Sequence, residues 1–148
     1  MSDEPITDRH GLEVIGLDEC LRLLASRPYG RLAYLDAGAP AIVPVNHLVD
    51  GSSVVVRSLD GGKLGAAIFE RAVAFQVDDL DFATRTGWSV LVRGRAEIIE
   101  DADAGAYDRW LDSWAVRDGA RTTWVRILAD EVSGRRLGAH EDAGTDGS

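Results

Sequence analysis

The feature that most restricts the fold of this chain is a series of short alternating segments joined by very short turns. In "AIVPVNHLVD", residues 41–50, odd-numbered side chains share one face and even-numbered side chains share the other. The turn "DGSS" leads at once into "VVVRS", so the two segments read as a β-hairpin. Parallel neighbours need a crossover of about a dozen residues. The turns therefore predict antiparallel strands, and Pro44 predicts an edge or a bulge.

The remaining segments extend this pattern into a small barrel. Further strands are predicted for "GRLAYLD", "AVAFQVDD", "WSVLVRGRAEII" and "TTWVRILADEV", with "LDFATRTG" as a loop. In the longest strand, Trp88, Val90, Val92, Ala96 and Ile98 are expected to face inward. Helices are predicted for "LDECLRLLASR", "GGKLGAAIFER" and "DADAGAYDRWLDSWAV". About six strands and three helices indicate a mainly-β fold, an antiparallel barrel with helices packed around it.

Composition narrows the partners and the cellular location. A chain of 148 residues fits one domain, predicted here as residues 17–138, with an N-terminal arm at 1–16 and a disordered acidic tail at 139–148. The net charge of −9 argues against duplex nucleic acid and anionic membranes as partners. Cys20 is the only cysteine, and no apolar run approaches the roughly 18 residues that span a bilayer. A soluble, cytoplasmic protein is therefore expected.

The segment "VVVRSLDGGKLGAA", residues 54–67, has the chemistry of an anion site. Arg57 offers a planar guanidinium and Ser58 a hydroxyl at the end of a strand, while Lys63 adds a point charge near the start of a predicted helix. Gly61 and Gly62 allow a ligand to approach the backbone. The spacing differs from that of a nucleotide P-loop. A solvated turn with two surface cations is the competing interpretation.

Other candidate groups are weaker. Ser89 lies within an alternating strand and not in a nucleophile elbow, so nucleophilic catalysis is not expected. The three histidines lack the spacing of metal ligands, and no metal is predicted. The acidic "VDDLD", residues 77–81, is more typical of a solvated loop than of a metal site, and Cys20 is expected to be buried and inert.

Four segments together resemble a known family. They are "LDECLRLLASRPYGRLAYLD", "PAIVPVNHLVDGSSVVVRSLDGGKLGAA", "VAFQVDDLDFATRTGWSVLVRGRAEIIED" and "VRILADEVSGRRL". Their order and spacing resemble the pyridoxamine 5′-phosphate oxidase-like flavoproteins with the FMN-binding split-barrel fold, and within them the branch that includes nitroimidazole-resistance-like proteins. The resemblance covers about residues 12–138.

The resemblance implies a six-stranded antiparallel split barrel that binds FMN. By matching position, Arg57, Ser58 and Lys63 would hold the FMN phosphate. Further cofactor contacts are implied along the "VPVNH" strand and in the family's Gly-Trp-Ser segment, at Pro44, Val45, Asn46, Trp88 and Ser89. The family also implies a homodimer with the cofactor in a cleft between subunits, and a small-molecule substrate.

The function implied is that of an FMN-dependent oxidoreductase without catalytic acid–base residues of its own, since the flavin carries the redox chemistry. The chain ends in "SGRRLGAHEDAG" and lacks the Arg- and Pro-containing segment of true pyridoxamine-phosphate oxidases, so that activity is not expected. Arg135 and Arg136 are candidates for meeting an anionic substrate. The alternatives are a reductase that uses the deazaflavin F420 and a non-catalytic flavin-binding or flavin-sensing module.

Overall fold

In the part of the chain that the structure describes, two helices pack against a closed ring of strands. A computed structural model describes residues 6–58, 63–99 and 123–138. The elements in chain order are β1 (Glu13–Ile15), α1 (Leu17–Ala25), β2 (Tyr29–Asp36), β3 (Ala39–Asp50), β4 (Ser53–Ser58), α2 (Lys63–Ile68), β5 (Ala72–Asp81), β6 (Thr86–Ile98) and β7 (Thr123–Leu137).

All pairings between these strands are antiparallel, as the short turns predict. The sheet order is β1-β7-β4-β3-β2-β5-β6, and an additional pairing of β6 with β7 closes β2 to β7 into a six-stranded ring. The mainly-β split-barrel prediction is thereby confirmed. Among the described strands, the short β1 pairs with the end of β7 alone, so it lies outside the ring.

Turn chemistry fixes how the strands connect. Ala37 and Gly38 both have positive φ, 51° and 86°, and form the two-residue hairpin turn between β2 and β3. The predicted loop "LDFATRTG" is shorter than expected. Asp81 Oδ1 accepts hydrogen bonds from the backbone N–H groups of Ala83 and Thr84, which tightens the turn and extends β5 and β6.

Pro44 lies where the sequence predicts it, at an unpaired edge. It is in register with Arg31 of β2, whereas pairing between β3 and β4 begins only at Asn46 and Arg57. Within the described residues, the first half of β3 therefore has β2 as its only neighbour, and a residue without an N–H donor is tolerated there.

The core fills the ring, and alternation along the strands predicts most of it. Val45 and His47 of β3 are buried, as are Trp88, Val90 and Val92 of β6. Phe75 is fully buried, and Gly30 permits its approach, because a Cβ built on Gly30 would lie 2.5 Å from Phe75 Cζ.

One inward position of β6 is less buried than expected. Ile98 is 38% exposed, and Ile99 is buried instead with Val55 and Trp124 in a second, smaller cluster. A register shift between Arg93 and Gly94 interrupts the ladder with β7, and the strand ends at Ile98. The extra residue of this shift lies on β7, and Ile98 is in register with Val125 of the core, so Ile98 is on the predicted side and is exposed because it ends the strand.

Several predictions fall on residues outside those described. These are the helix "DADAGAYDRWLDSWAV", the Gly61–Gly62 turn, the acidic tail and the first five residues of the arm. The described part of the arm includes β1, whereas no strand was predicted there. Neither described helix has the length and apolarity that a membrane-spanning helix requires.

Candidate functional site

The candidate site is built on the outer face of the ring, the side that points away from the core. Asn46 of β3 is directly opposite Arg57 of β4, so their side chains leave the sheet on the same side. Arg57 is in turn opposite Trp124 of β7, and its guanidinium carbon lies 5.3 Å from the centre of that indole ring. This cation–π contact holds the guanidinium on the outer face.

The next cation along the chain begins α2. Lys63 is the only lysine of the chain, and its side chain is exposed. Within the described residues its ammonium group makes no ion pair. The predicted helix is shorter than expected and comprises only Lys63–Ile68. Six residues give a small dipole, so an anion here would depend on the side-chain cations more than on the helix.

The remaining predicted site residues divide between two faces. Pro44 is exposed, and Asn46 and Ser89 are half-buried on the outer face. The side chains of Val45 and Trp88 instead face the core, where Trp88 is 9% exposed. On the outer side, these two residues offer only their backbone. Ser58 ends β4 beside Arg57, and nothing further is described of its side chain.

A polar network on β2, β5 and β6 was not predicted. Gln76 donates from Nε2 to Ser89 Oγ at 2.9 Å and to Asp78 Oδ2 at 3.0 Å. Its Oε1 accepts a hydrogen bond from Arg31 Nη1 at 3.4 Å, and Arg31 Nη1 lies 3.7 Å from Asp78 Oδ1. The alternation of "GRLAYLD" and "AVAFQVDD" was the available signal, since it places these polar residues outward.

A cavity of about 300 Å³ lies at one end of this network. Its walls are formed by Arg27, Pro28, Tyr29, Arg31, Asp78 and Asp79. Arg27 forms an ion pair with Asp79, so each arginine of the lining has a carboxylate partner. Asn46 joins the cavity to the phosphate-site candidates, because its Nδ2 donates to the Pro28 carbonyl oxygen at 3.3 Å.

His47 and Cys20 are structural. His47 Nε2 lies 2.7 Å from the Leu24 carbonyl oxygen, and its ring packs edge-on against Phe75. Burial lowers the pKa of His47, although the bond to Leu24 acts in the opposite direction. Cys20 is buried, as predicted, and burial raises the pKa of its thiol. No group of three metal-ligating side chains occurs in the described part of the chain.

Arg135 and Arg136 hold the N-terminal segment. Arg135 Nε lies 2.8 Å from Asp8 Oδ2, and Arg136 lies 3.7 Å from Glu13 and 3.4 Å from Glu19. Burial alone would raise the pKa of Asp8, but the hydrogen bonds from Arg135 and two backbone N–H groups lower it. The two arginines therefore have intramolecular partners, which weakens their candidacy as substrate ligands.

A comparison with known protein families identifies the family of this chain. The family model described as pyridoxamine 5′-phosphate oxidase matches residues 17–136. The chain therefore belongs to the pyridoxamine 5′-phosphate oxidase family.

Its relatives include bacterial proteins. An uncharacterised protein of Mycobacterium tuberculosis is 42% identical over 133 residues, which cover 84% of this chain and 86% of that protein. The structure of an FAD-binding protein of Mycobacterium smegmatis matches with a TM-score of 0.71 at 36% identity, covering 84% of this chain and 97% of the other. A Bacteroides thetaiotaomicron structure, provisionally described as a 5-nitroimidazole antibiotic resistance protein, shares the fold at 17% identity and a TM-score of 0.61, covering 93% of this chain and 94% of that chain.

Proposed function

We propose that this protein is a flavoprotein that binds FMN on the outer face of the ring and acts as an oxidoreductase on a small molecule. Arg57, Ser58 and Lys63 would bind the phosphate, and the outer edge of β3 would receive the ring system. When bound, the flavin would supply the redox chemistry, and this chain would supply binding, orientation and charge.

The observation that supports this proposal most strongly is the register of β3 with β4. It places the amide of Asn46 beside the guanidinium of Arg57, next to the exposed Pro44 on the half of β3 that β4 leaves unpaired. The arrangement places an exposed proline, an amide and a cation side by side on the outer face. Guanidinium and ammonium groups are donors well suited to a phosphate monoester.

The identity of the flavin is part of the proposal. The Mycobacterium smegmatis relative is described as an FAD-binding protein, so FAD is a specific competitor to FMN. A deazaflavin would bind through the same phosphate-recognising cations. The distinguishing experiment is a titration of purified protein with FMN, FAD and F420, followed by absorbance. The proposal predicts saturable binding and tightest affinity for FMN, and absence of any flavin binding would refute it.

Because Lys63 is the only lysine, its environment can be tested directly. An amine-acetylating reagent should modify Lys63 in the free protein, and bound FMN should protect it. Mass spectrometry of the peptide containing Lys63 gives the readout, and acetylation of the terminal amine serves as an internal control. Equal modification of Lys63 with and without saturating FMN would contradict the phosphate assignment.

The proposal includes a homodimer with cofactor clefts between subunits. Ile42 and Leu35 are 67% and 55% exposed on the outer face, and they line an open apolar groove of about 470 Å³ with Ala33 and Ala74. Covering such side chains stabilises an interface by roughly 1.5–3 kcal/mol each when burial is complete. These exposed apolar residues support pairing through this side of the ring.

Turnover assays distinguish an enzyme from a flavin-sensing module. Oxidation of NADH, NADPH or reduced F420 by the flavin-loaded protein supports an oxidoreductase. Saturable flavin binding without turnover of these donors, across a panel of small acceptors, would favour the sensing module. The cytoplasmic location stays a prediction of the sequence.

A further inference from the structure

We propose that the cavity beside Asn46 receives the pyrimidine edge of the flavin, and that Arg31 is the residue that tunes its redox potential. This inference rests on the proposed function. Arg31 lies outside residues 54–67, the segment with the phosphate-site candidates. Neither the pattern of strands and turns nor the charge of the sequence identifies it as a site residue.

The register of β2 with β3 provides the placement. Arg31 is directly opposite Pro44, and Tyr29 is directly opposite Asn46. Both β2 residues are exposed on the outer face, and both line the 300 Å³ cavity. A planar ring that covers Pro44 and Asn46 therefore has this cavity as its immediate neighbour on the β2 side.

The contacts of Arg31 leave it able to bind a ligand. Both of its polar contacts, to Gln76 Oε1 and Asp78 Oδ1, involve Nη1 and are long, at 3.4 and 3.7 Å. Among the residues that the structure describes, Nε and Nη2 of Arg31 make no hydrogen bond. The cation is thus held in place on one side and retains donors on the other.

The chemistry of the lining suits a heterocycle that both donates and accepts hydrogen bonds. The arginines supply donors and the aspartates supply acceptors, and the pyrimidine edge of a flavin has carbonyl oxygens and an N–H group. Reduction increases negative charge on that edge. A guanidinium beside it should therefore bind the reduced form more tightly than the oxidised form, and the Asp78 carboxylate should have the opposite effect.

The test compares reduced and oxidised affinities in Arg31→Gln and Asp78→Asn. Arg31→Gln should weaken binding of reduced flavin about tenfold relative to oxidised flavin, which lowers the midpoint potential by about 30 mV for a two-electron couple. Asp78→Asn should shift the ratio in the opposite direction. Opposite signs are the decisive feature, because a loss of local packing would move both variants in the same direction.

Two further variants test whether the charge of Arg31 is responsible and whether any ion-paired arginine would have the same effect. Arg31→Lys retains the charge, so it should restore most of the reduced-state preference that Arg31→Gln removes. Arg22→Gln is the matched control, since Arg22 is also an ion-paired arginine but lies exposed on α1. It should leave the potential unchanged. Circular dichroism and a thermal melt establish that each variant is folded.

The outcomes separate this inference from the proposed function. If the unmodified protein binds no flavin, the proposed function fails. If it binds flavin, but the potential is unchanged in both variants or shifts with the same sign, the role of Arg31 is refuted and flavin binding stands. Arg31→Gln should also weaken FMN and riboflavin equally, in contrast to variants of the phosphate site.

Discussion

At the scale of single residues, the structure distinguishes groups that serve the fold from groups that are available for binding. His47 directly follows the proposed flavin contact Asn46 in sequence, yet its side chain points the other way, into the core. Alternation along β3 predicts this division correctly for Val45, Asn46 and His47. Sequence alone could not identify the Leu24 carbonyl as the partner of His47, because that contact joins residues 23 positions apart.

His47 should make the free energy of unfolding depend on pH. Its folded-state pKa lies below the ordinary value of 6.5, so the unfolded chain binds the proton more readily. Stability attributable to His47 is therefore complete above that value and is lost as pH falls towards the folded-state pKa.

Urea unfolding at about pH 7.5 and about pH 5.5 measures this dependence. His47→Gln removes the titrating group, so the difference in unfolding free energy between the two pH values should be smaller in the variant. An undiminished difference would show that a group other than His47 carries the acid sensitivity; Asp8 and Glu19 do not qualify, because their carboxyl pKa values are lowered and lie below this pH range.

At the scale of elements, the sequence predicts which segments are strands and that they pair antiparallel. It predicts the residues at which strands end less accurately. Pro44 lies at an unpaired strand edge, as its missing backbone N–H group predicts. The ends of β5 and β6 were missed because the turn made by Asp81 depends on side-chain hydrogen bonds that hydrophobic alternation does not reveal. The network of Arg31, Gln76 and Ser89 needs the register of three strands, which turn spacing does not determine.

The contact between β2 and β5 gives a prediction about packing. Gly30→Ala should lower the free energy of unfolding by about 1–3 kcal/mol, because the added methyl group would meet the Phe75 ring and the Gln76 carbonyl oxygen. Gly16→Ala is the control, since Gly16 has an ordinary φ of −70° and nothing within 4 Å of a built Cβ.

Chemical denaturation of both variants provides the measurement. The control replaces a helix N-cap glycine, where alanine is disfavoured, so it should cost at most about 1 kcal/mol and clearly less than Gly30→Ala. If both substitutions have equal effects, close packing of Phe75 against β2 does not limit stability.

At the scale of the whole molecule, the sequence predicts a barrel but not the order in which its strands pair. Antiparallel strands and a wet outer face indicate a barrel, and the family resemblance sharpens this to a split barrel. The closing strand, β7, pairs with β4 and β6 at once along part of its length. That dual role depends on contacts across the whole chain, beyond what any local pattern encodes.

Subunit pairing is the molecular property most open to test. Ile42→Glu places a charge at an exposed apolar position of the outer face. Sedimentation should report a dimer for the unmodified protein at micromolar concentration and a shift towards monomer for this variant. Asp36→Glu, an exposed substitution that conserves charge, should remain dimeric. A strictly monomeric unmodified protein would contradict a cleft shared between subunits.

The central claim is that a flavin phosphate binds between Arg57 and Lys63, and the most direct test compares FMN with riboflavin in Lys63→Ala. The unmodified protein should bind FMN, and the variant should bind FMN about tenfold or more weakly while its riboflavin affinity stays unchanged. Arg71→Ala, which removes another exposed cation just beyond α2, should affect neither ligand. Equal losses for FMN and riboflavin in Lys63→Ala, or no FMN binding by the unmodified protein, would contradict the claim.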